Sequence, residues 1–168
     1  MVNKLCILDR DGVLNVDTGY VHTPEEFQWI EGSKEAVVYL NQLGITVVVV
    51  TNQSGVARGY FTENDVRKLH HWMEIEIEKV GGKIDKFYYC PHLPGAKDKK
   101  YDIICECRKP KSGVMIQMMQ EYHMNPAEIF VIGDNLRDIE AGERIGIKGY
   151  LFRGGNLLDF VRTIVSCG

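Results

Sequence analysis

The sequence predicts an α/β fold, a parallel sheet with helices on both faces, on three observations. Short aliphatic runs alternate along the chain with segments of helical spacing. Polar motifs directly follow four of the five predicted strands. The chain has 168 residues, 45% of them apolar, with 17 glycines and 5 prolines, enough apolar material for one sizeable core. No internal repeat or linker divides it, so one domain over residues 1–168 is expected.

The first strand is Leu5-Cys6-Ile7-Leu8, which stops abruptly at Asp9. Ser33 can cap a helix whose apolar face is Ala36, Val37, Leu40 and Leu43, ended by Gly44. Ile45 to Val50 is β-branched throughout and predicts a second buried strand. Thr62 and Asp65 form a capping-box pattern ahead of Val66, Leu69, Met73, Ile77 and Val80, until Gly81-Gly82 breaks the periodicity. Ile84 to Tyr89 predicts a third strand, followed by an irregular stretch from Cys90 to Pro110. Ser112 starts a helix with Met115, Met118, Met119 and Tyr122 on one face, a stripe that reads as core filler. Ile129 to Ile132 is a fourth strand, Asp138 to Ile145 a short helix and Tyr150 to Phe152 a fifth strand. Asn156 can cap a last helix through Leu157, Phe160, Val161 and Ile164.

Composition excludes several classes of function. Twenty basic against 23 acidic side chains give a net charge of −3, so no general attraction to nucleic acid is written into the chain. The longest strongly apolar run, Ile45 to Val50, is too short to cross a bilayer, and Met1-Val2-Asn3-Lys4 lacks the layout of a signal peptide. A cytoplasmic protein is expected. Its five cysteines, an odd number, argue against a disulfide framework.

The polar motifs carry the chemistry. Asp9 and Asp11, two apart at the mouth of a buried strand, project to the same side if the chain stays extended. Two like charges so close need a shared cation or a retained proton. Asp134, after another buried strand, can supply a further oxygen ligand for Mg²⁺, a hard ion that takes few carboxylates. The competing reading makes Asp9 and Asp11 turn and cap residues, as Asp-Gly often is. Thr51, Lys109 and Asp134 at the ends of neighbouring segments favour the functional one. Cys90-x-His92 and Cys105-x-Cys107 supply four zinc-type ligands on a loop, 90–107, with little apolar content to hold it. Free surface thiols or a disulfide are the alternatives, and cysteines two apart are poor disulfide partners.

Asp9-Arg10-Asp11-Gly12-Val13-Leu14-Asn15 resembles the first motif of the haloacid dehalogenase superfamily of phosphatases, and Thr51, Lys109 and Gly133-Asp134 resemble its second, third and fourth. Gly19-Tyr20-Val21-His22, Thr51 to Gly59, Tyr88 to His92 and Cys105 to Pro110 are similar to the D-glycero-D-manno-heptose 1,7-bisphosphate 7-phosphatase family. The resemblance runs from about residue 4 to 152. It implies a Rossmann-like core, a small-molecule sugar bisphosphate as substrate, catalytic Mg²⁺ on Asp9, Asp11 (through its backbone carbonyl) and Asp134, and structural Zn²⁺ on Cys90, His92, Cys105 and Cys107. Asp9 would be the nucleophile and Asp11 the acid and base, with Thr51 and Lys109 binding the transferred phosphoryl group. Arg108 would bind the second phosphate. Asp17, Thr18, Gly19 and Tyr20 would form a wall of the sugar pocket, and Asn52, Gln53 and Ser54 would supply donors. Arg58 would add positive potential. Asn135, neutral where relatives carry a charged residue, is expected at the substrate, and Asp138 either orients Lys109 or serves as a first-turn helix acid.

No large insertion follows the first or third strand, so no folded cap domain is expected. Small capless relatives imply a monomer. The nearest rival is histidinol-phosphate phosphatase, which shares the aspartates and a similar zinc loop. A nucleic-acid 3′-end phosphatase is disfavoured by the net acidity. An interaction module on an inactive scaffold would lack an essential carboxylate, and all three are present.

Overall fold

The computed structural model describes residues 3–166. Five strands, β1 (Lys4–Leu8), β2 (Ile45–Asn52), β3 (Lys86–Cys90), β4 (Ile129–Gly133) and β5 (Lys148–Leu151), form one sheet in the order β3-β2-β1-β4-β5. Every pairing is parallel, and Leu8 stands level with Val49 on one side and Ile132 on the other. The helices are α1 (Ser33–Gln42), α2 (Glu63–Lys79), α3 (Gly113–Tyr122), α4 (Leu136–Glu143) and α5 (Leu157–Ser166).

The strands bury both faces because side chains alternate along them. Cys6 and Leu8 join Val47, Val49 and Ile132 on the face covered by α1, α2 and α5, through Leu40, Leu69, Met73 and Val161. Leu5 and Ile7 join Val48, Val50 and Val131 on the other, covered by α3 and α4 through Met115, Met118 and Ala141. The methionine stripe is core, as its spacing predicts. The chain runs from β1 outwards to β2 and β3, then returns to place β4 on the opposite side of β1. That reversal makes a switch point between β1 and β4, where ligands of such sheets bind.

Several boundaries differ from the sequence expectation, each for a local reason. Ser33 does not cap α1: it is buried inside the first turn, and Gly32 takes the cap position at φ 75°. Thr62 and Asp65 do form the reciprocal cap of α2. Leu43 and Val80 lie just past their helices and are 48% exposed, so the apolar periodicity overran each helix by one residue. The second strand extends through Thr51 and Asn52, which therefore belong to the sheet. The segment from 9 to 32 contains one turn of 3-10 helix, Pro24–Glu26, and isolated bridges from Asn15 to Asp11 and Trp29. Thus no cap domain is present among the described residues. Nor is any of their helices long and apolar enough to cross a membrane.

Leu40, with no exposed surface, sits where α1 meets the sheet. Leu40→Ala is expected to lower the unfolding free energy by about 2–5 kcal/mol, read as a shift in denaturant midpoint at unchanged slope.

Candidate active site

At the end of β1 the Asp9 amide donates to the Ile132 carbonyl of β4 at 3.1 Å, which carries the strand one residue further and brings Asp9 beside Gly133. The chain then turns: Leu14 and Asn15 amides donate back to the Arg10 carbonyl at 2.9 and 3.2 Å. Gly12 sits at φ 89°, and a Cβ there would fall inside the Asp134 carboxylate. Only glycine lets these two segments meet. The turn presents Asp11 to donors from three side chains: Arg10 Nη2, Asn15 Nδ2 (both 3.0 Å) and Arg10 Nε (3.3 Å) on Oδ1, with Gln53 Nε2 (3.0 Å) and Arg10 Nη2 again (3.2 Å) on Oδ2.

Lys109, 4% exposed, reaches in from the loop after Cys107. Its Nζ donates to Asp9 Oδ1 (3.0 Å) and to the Val50 carbonyl (2.8 Å) and lies 2.6 Å from Asp138 Oδ1. Two of these contacts are hydrogen bonds, and the third is an ion pair. The other Asp138 oxygen accepts the Asn135 amide at 3.2 Å. The two roles expected as alternatives for Asp138 therefore coexist: one oxygen closes the first turn of α4, and the other orients Lys109. Asn52 fixes the Lys109 backbone from both sides, donating to its carbonyl (3.1 Å) and accepting its amide (3.0 Å). Gln53 Nε2 donates to Thr51 Oγ1 at 2.9 Å as well as to Asp11.

Carboxylates outnumber cations here. Oxygens of Asp9, Asp134 and Asp138 lie within 4.8 Å of one another. Burial, with smaller contributions from Asp138 and Asp11, pushes Asp9 up to about 8, because Lys109 offsets only part of it. Burial likewise raises Asp134. Burial alone would depress Lys109, but Asp9 and Asp138 together raise it, so the ammonium stays charged. One buried ammonium cannot neutralise three clustered carboxylates. The donor set is all oxygen and carries surplus negative charge, which fits a hard divalent cation such as Mg²⁺.

These groups open onto a cavity of about 360 Å³. Its lining includes Asp9, Asp11, Asp17, Gly19, Tyr20, Thr51, Asn52, Gln53, Ser54, Arg108, Lys109 and Asp134, the expected residues. Gly55 and Arg137 also line it and were not anticipated. Arg137 stands three residues beyond Asp134 in the first turn of α4, the one sequence signal that could have found it. Two expected substrate residues do not line the cavity, Thr18 and Asn135. Asn135 is instead the helix cap of α4, its side-chain oxygen accepting the Arg137 amide at 3.1 Å. Nor does Arg58 line it; its guanidinium lies 5.8 Å from the Tyr20 ring centroid.

The Cys90, His92, Cys105 and Cys107 ligand atoms also converge. Cys90 Sγ lies 3.5 Å from both His92 Nδ1 and Cys105 Sγ and 2.9 Å from Cys107 Sγ; His92 Nδ1 is 3.3 Å from Cys107 Sγ. No pair is at disulfide distance, and the four atoms enclose a space close to a tetrahedron of zinc ligands, whose edges would be about 3.8 Å for bonds near 2.3 Å. The hydrogen bond between them pulls the Cys107 thiol down to about 5 while raising Cys90. The set fits Zn²⁺, with every corner filled by protein.

A 3-2-1-4-5 parallel sheet with Asp-x-Asp at the end of its first strand, a buried lysine and a further aspartate at the switch point defines a HAD-like hydrolase. A family model described as HAD-hydrolase-like matches residues 106–158. The D-glycero-β-D-manno-heptose-1,7-bisphosphate 7-phosphatase of Haemophilus ducreyi is 44% identical over 149 residues, 88% of this chain and 81% of that protein. That of Rhodopseudomonas palustris is 41% identical over 158 residues, 94% and 88% of the two chains. The crystal structure of D,D-heptose 1,7-bisphosphate phosphatase from B. bronchiseptica, complexed with magnesium and phosphate, superimposes with a TM-score of 0.81 at 37% identity, over 98% of this chain and 87% of that one. The chain belongs to the heptose 1,7-bisphosphate 7-phosphatase family.

A Cβ on Gly133 would fall inside the Asp138 side chain. Gly133→Ala must displace Asp138 and with it Lys109. Unfolding free energy should drop by about 1–3 kcal/mol and turnover by about 10²-fold, read by chemical denaturation and phosphate release. Unchanged values for both would show that Asp138 does not set the lysine.

Proposed function

We propose that this chain removes the C7 phosphate of D-glycero-D-manno-heptose 1,7-bisphosphate by way of an aspartyl-phosphate, in nucleotide-heptose precursor biosynthesis. The observation that carries this reading is the single cavity onto which Asp9, Asp11, Thr51, Lys109 and Asp134 open. The relatives are named for the β anomer, which is the expected substrate here.

Asp9 is the nucleophile. A carboxylate oxygen of Asp9 forms a bond to phosphorus as the bond from phosphorus to the C7 oxygen breaks, and Asp11 gives that leaving oxygen its proton. Water then attacks the aspartyl-phosphate, Asp11 takes the water's proton, and inorganic phosphate leaves with Asp9 restored. Thr51 holds a phosphoryl oxygen through its hydroxyl, and Lys109 offsets charge spread over the others. Asp9, Asp134 and the Asp11 carbonyl would hold Mg²⁺, which would supply the positive charge that lets two anions approach and favours the ionised form of Asp9. Asn52 and Gln53 hold Lys109, Thr51 and Asp11 in place and are positioning residues. At the rim, Arg108 and Arg137 are the guanidiniums available to the phosphate that is not cleaved, and Asp17, Gly19, Tyr20 and Ser54 bound the sugar.

Cys90, His92, Cys105 and Cys107 would hold Zn²⁺ through four protein ligands, which would leave its role structural. It anchors the loop whose next residues are Arg108 and Lys109, and the Arg108 guanidinium donates to the His92 carbonyl at 3.4 Å. The enzyme is expected to act in the cytoplasm as a monomer.

Asp9→Asn should abolish release of phosphate from the bisphosphate while leaving the melting temperature near that of the wild type; retained turnover would reassign the nucleophile. Initial rates with both anomers and with histidinol phosphate, each with and without Mg²⁺, test the substrate, and a preference for histidinol phosphate would overturn it. Metal analysis should find about one zinc per chain, absent from Cys107→Ser, which should unfold by several kcal/mol more readily.

A further inference from the structure

His70 of α2 plays no part in the chemistry above, yet it is 5% exposed in the wall behind the Asp9–Asp11 turn. Its ring stacks on Phe87 at 4.6 Å and meets the Tyr89 ring edge-on at 6.1 Å, so its orientation is set from β3. Its Nε2 lies 3.2 Å from Arg10 Nη1. Arg10, 1% exposed, is among the most deeply buried large side chains of the protein. Its guanidinium has acceptors in three directions: the Val21 carbonyl on Nη2 at 2.8 Å, the Asp11 carboxylate on Nη2 and Nε at 3.0 and 3.3 Å, and His70 on Nη1.

We propose that His70 is a positioning residue for the acid and base Asp11, acting through Arg10: its imidazole nitrogen holds the far edge of the guanidinium whose near edge fixes the Asp11 carboxylate. This inference rests on the phosphatase reading of the site. A guanidinium is a rigid planar fork, so fixing one edge fixes the other. Only a neutral imidazole can accept from Arg10. Burial and the adjacent Arg10 charge both hold His70 well below its ordinary range, so the ring is neutral, and the Arg10 donor facing Nε2 assigns the ring proton to Nδ1. Loss of the acceptor would leave a buried Nη1 proton unpaired and free the fork to tilt. Asp11 would keep its Asn15 and Gln53 donors and lose the alignment that Arg10 imposes. A histidine that merely filled the core would be replaceable by an apolar side chain of similar size with no effect on proton transfer.

Leaving-group dependence separates these cases. kcat/KM reports steps through cleavage of the substrate's phosphorus–oxygen bond. An alkyl sugar phosphate needs the Asp11 proton at that point, whereas p-nitrophenyl phosphate releases a stable aryl oxide that does not. His70→Leu and His70→Met, checked for native circular dichroism, should lower kcat/KM on heptose 1,7-bisphosphate about tenfold or more and on p-nitrophenyl phosphate by less than about twofold. His70→Gln, whose amide oxygen can accept from Arg10, should recover most of the loss. Equal losses on the two substrates, an unchanged rate on the sugar phosphate, or no recovery with glutamine would overturn the proposal. A wild-type protein inactive on both phosphates would instead overturn the phosphatase reading, and the role of His70 with it.

Discussion

The Lys109 ammonium is the charge around which the site is assembled. Its three partners come from the end of β1 (Asp9), from β2 (the Val50 carbonyl) and from α4 (Asp138), so one side chain fastens three elements at the switch point. A lysine so deeply buried would ordinarily be driven neutral, and two carboxylates prevent it. The arrangement is nevertheless incomplete in charge. Asp134 lies in the same cluster and forms no salt bridge among the described residues, and Asp9 is left with a weakened tendency to ionise. That residual negative charge makes the cluster a fitting host for a divalent cation, and through it for a phosphate that the carboxylates alone would repel.

Around this centre the polar side chains divide by whether their hydrogen bonds are already committed. Asn52 is spent on the Lys109 backbone, Gln53 on Asp11 and Thr51, and Asn135 on the first turn of α4. Arg108 and Arg137, by contrast, border the cavity with most of their donors unpaired among the described residues. The pattern separates a rigid inner shell, which keeps the reacting groups in register, from a rim that can follow the ligand. Rigidity near phosphorus matters more, because small misplacements there are costly in rate.

Much of this was legible in the residue order. Leu5 to Leu8, Ile45 to Val50 and Ile129 to Ile132 are apolar runs that can only be buried strands, and the polar residues that follow them must then gather at one edge of the sheet. The zinc-type ligands were legible because their spacing has few other uses. What escaped sequence reading depends on distances between segments remote in the chain. Asn135 has the composition of a substrate ligand, and only the backbone geometry of α4 shows its oxygen turned back to the Arg137 amide. Arg137 looks like an ordinary surface cation until the start of α4 is placed beside Asp134. Ser33 has the chemistry of a cap, but Gly32 occupies the left-handed position that closes the entry to α1.

The absence of a cap domain among the described residues moves the task of shaping the pocket to loops, and loops must be stiffened by something. The loop between β2 and α2 is held from beneath, with Val56, Phe61 and Val66 forming a small core against Tyr89 and Tyr101. Above that core, Glu63 accepts from the Tyr89 hydroxyl at 2.9 Å and from the Tyr101 hydroxyl at 2.8 Å, tying the start of α2 to β3 and to the Cys/His loop. Further along that same loop the Cys/His cluster immediately precedes Arg108 and Lys109. The substrate rim and the inner lysine are thus both set by one loop, clamped at one point by soft ligands and at another by phenol–carboxylate bonds. Release of either clamp would therefore act on the pocket rim and on charge neutralisation together, because Arg108 and Lys109 are adjacent in that loop.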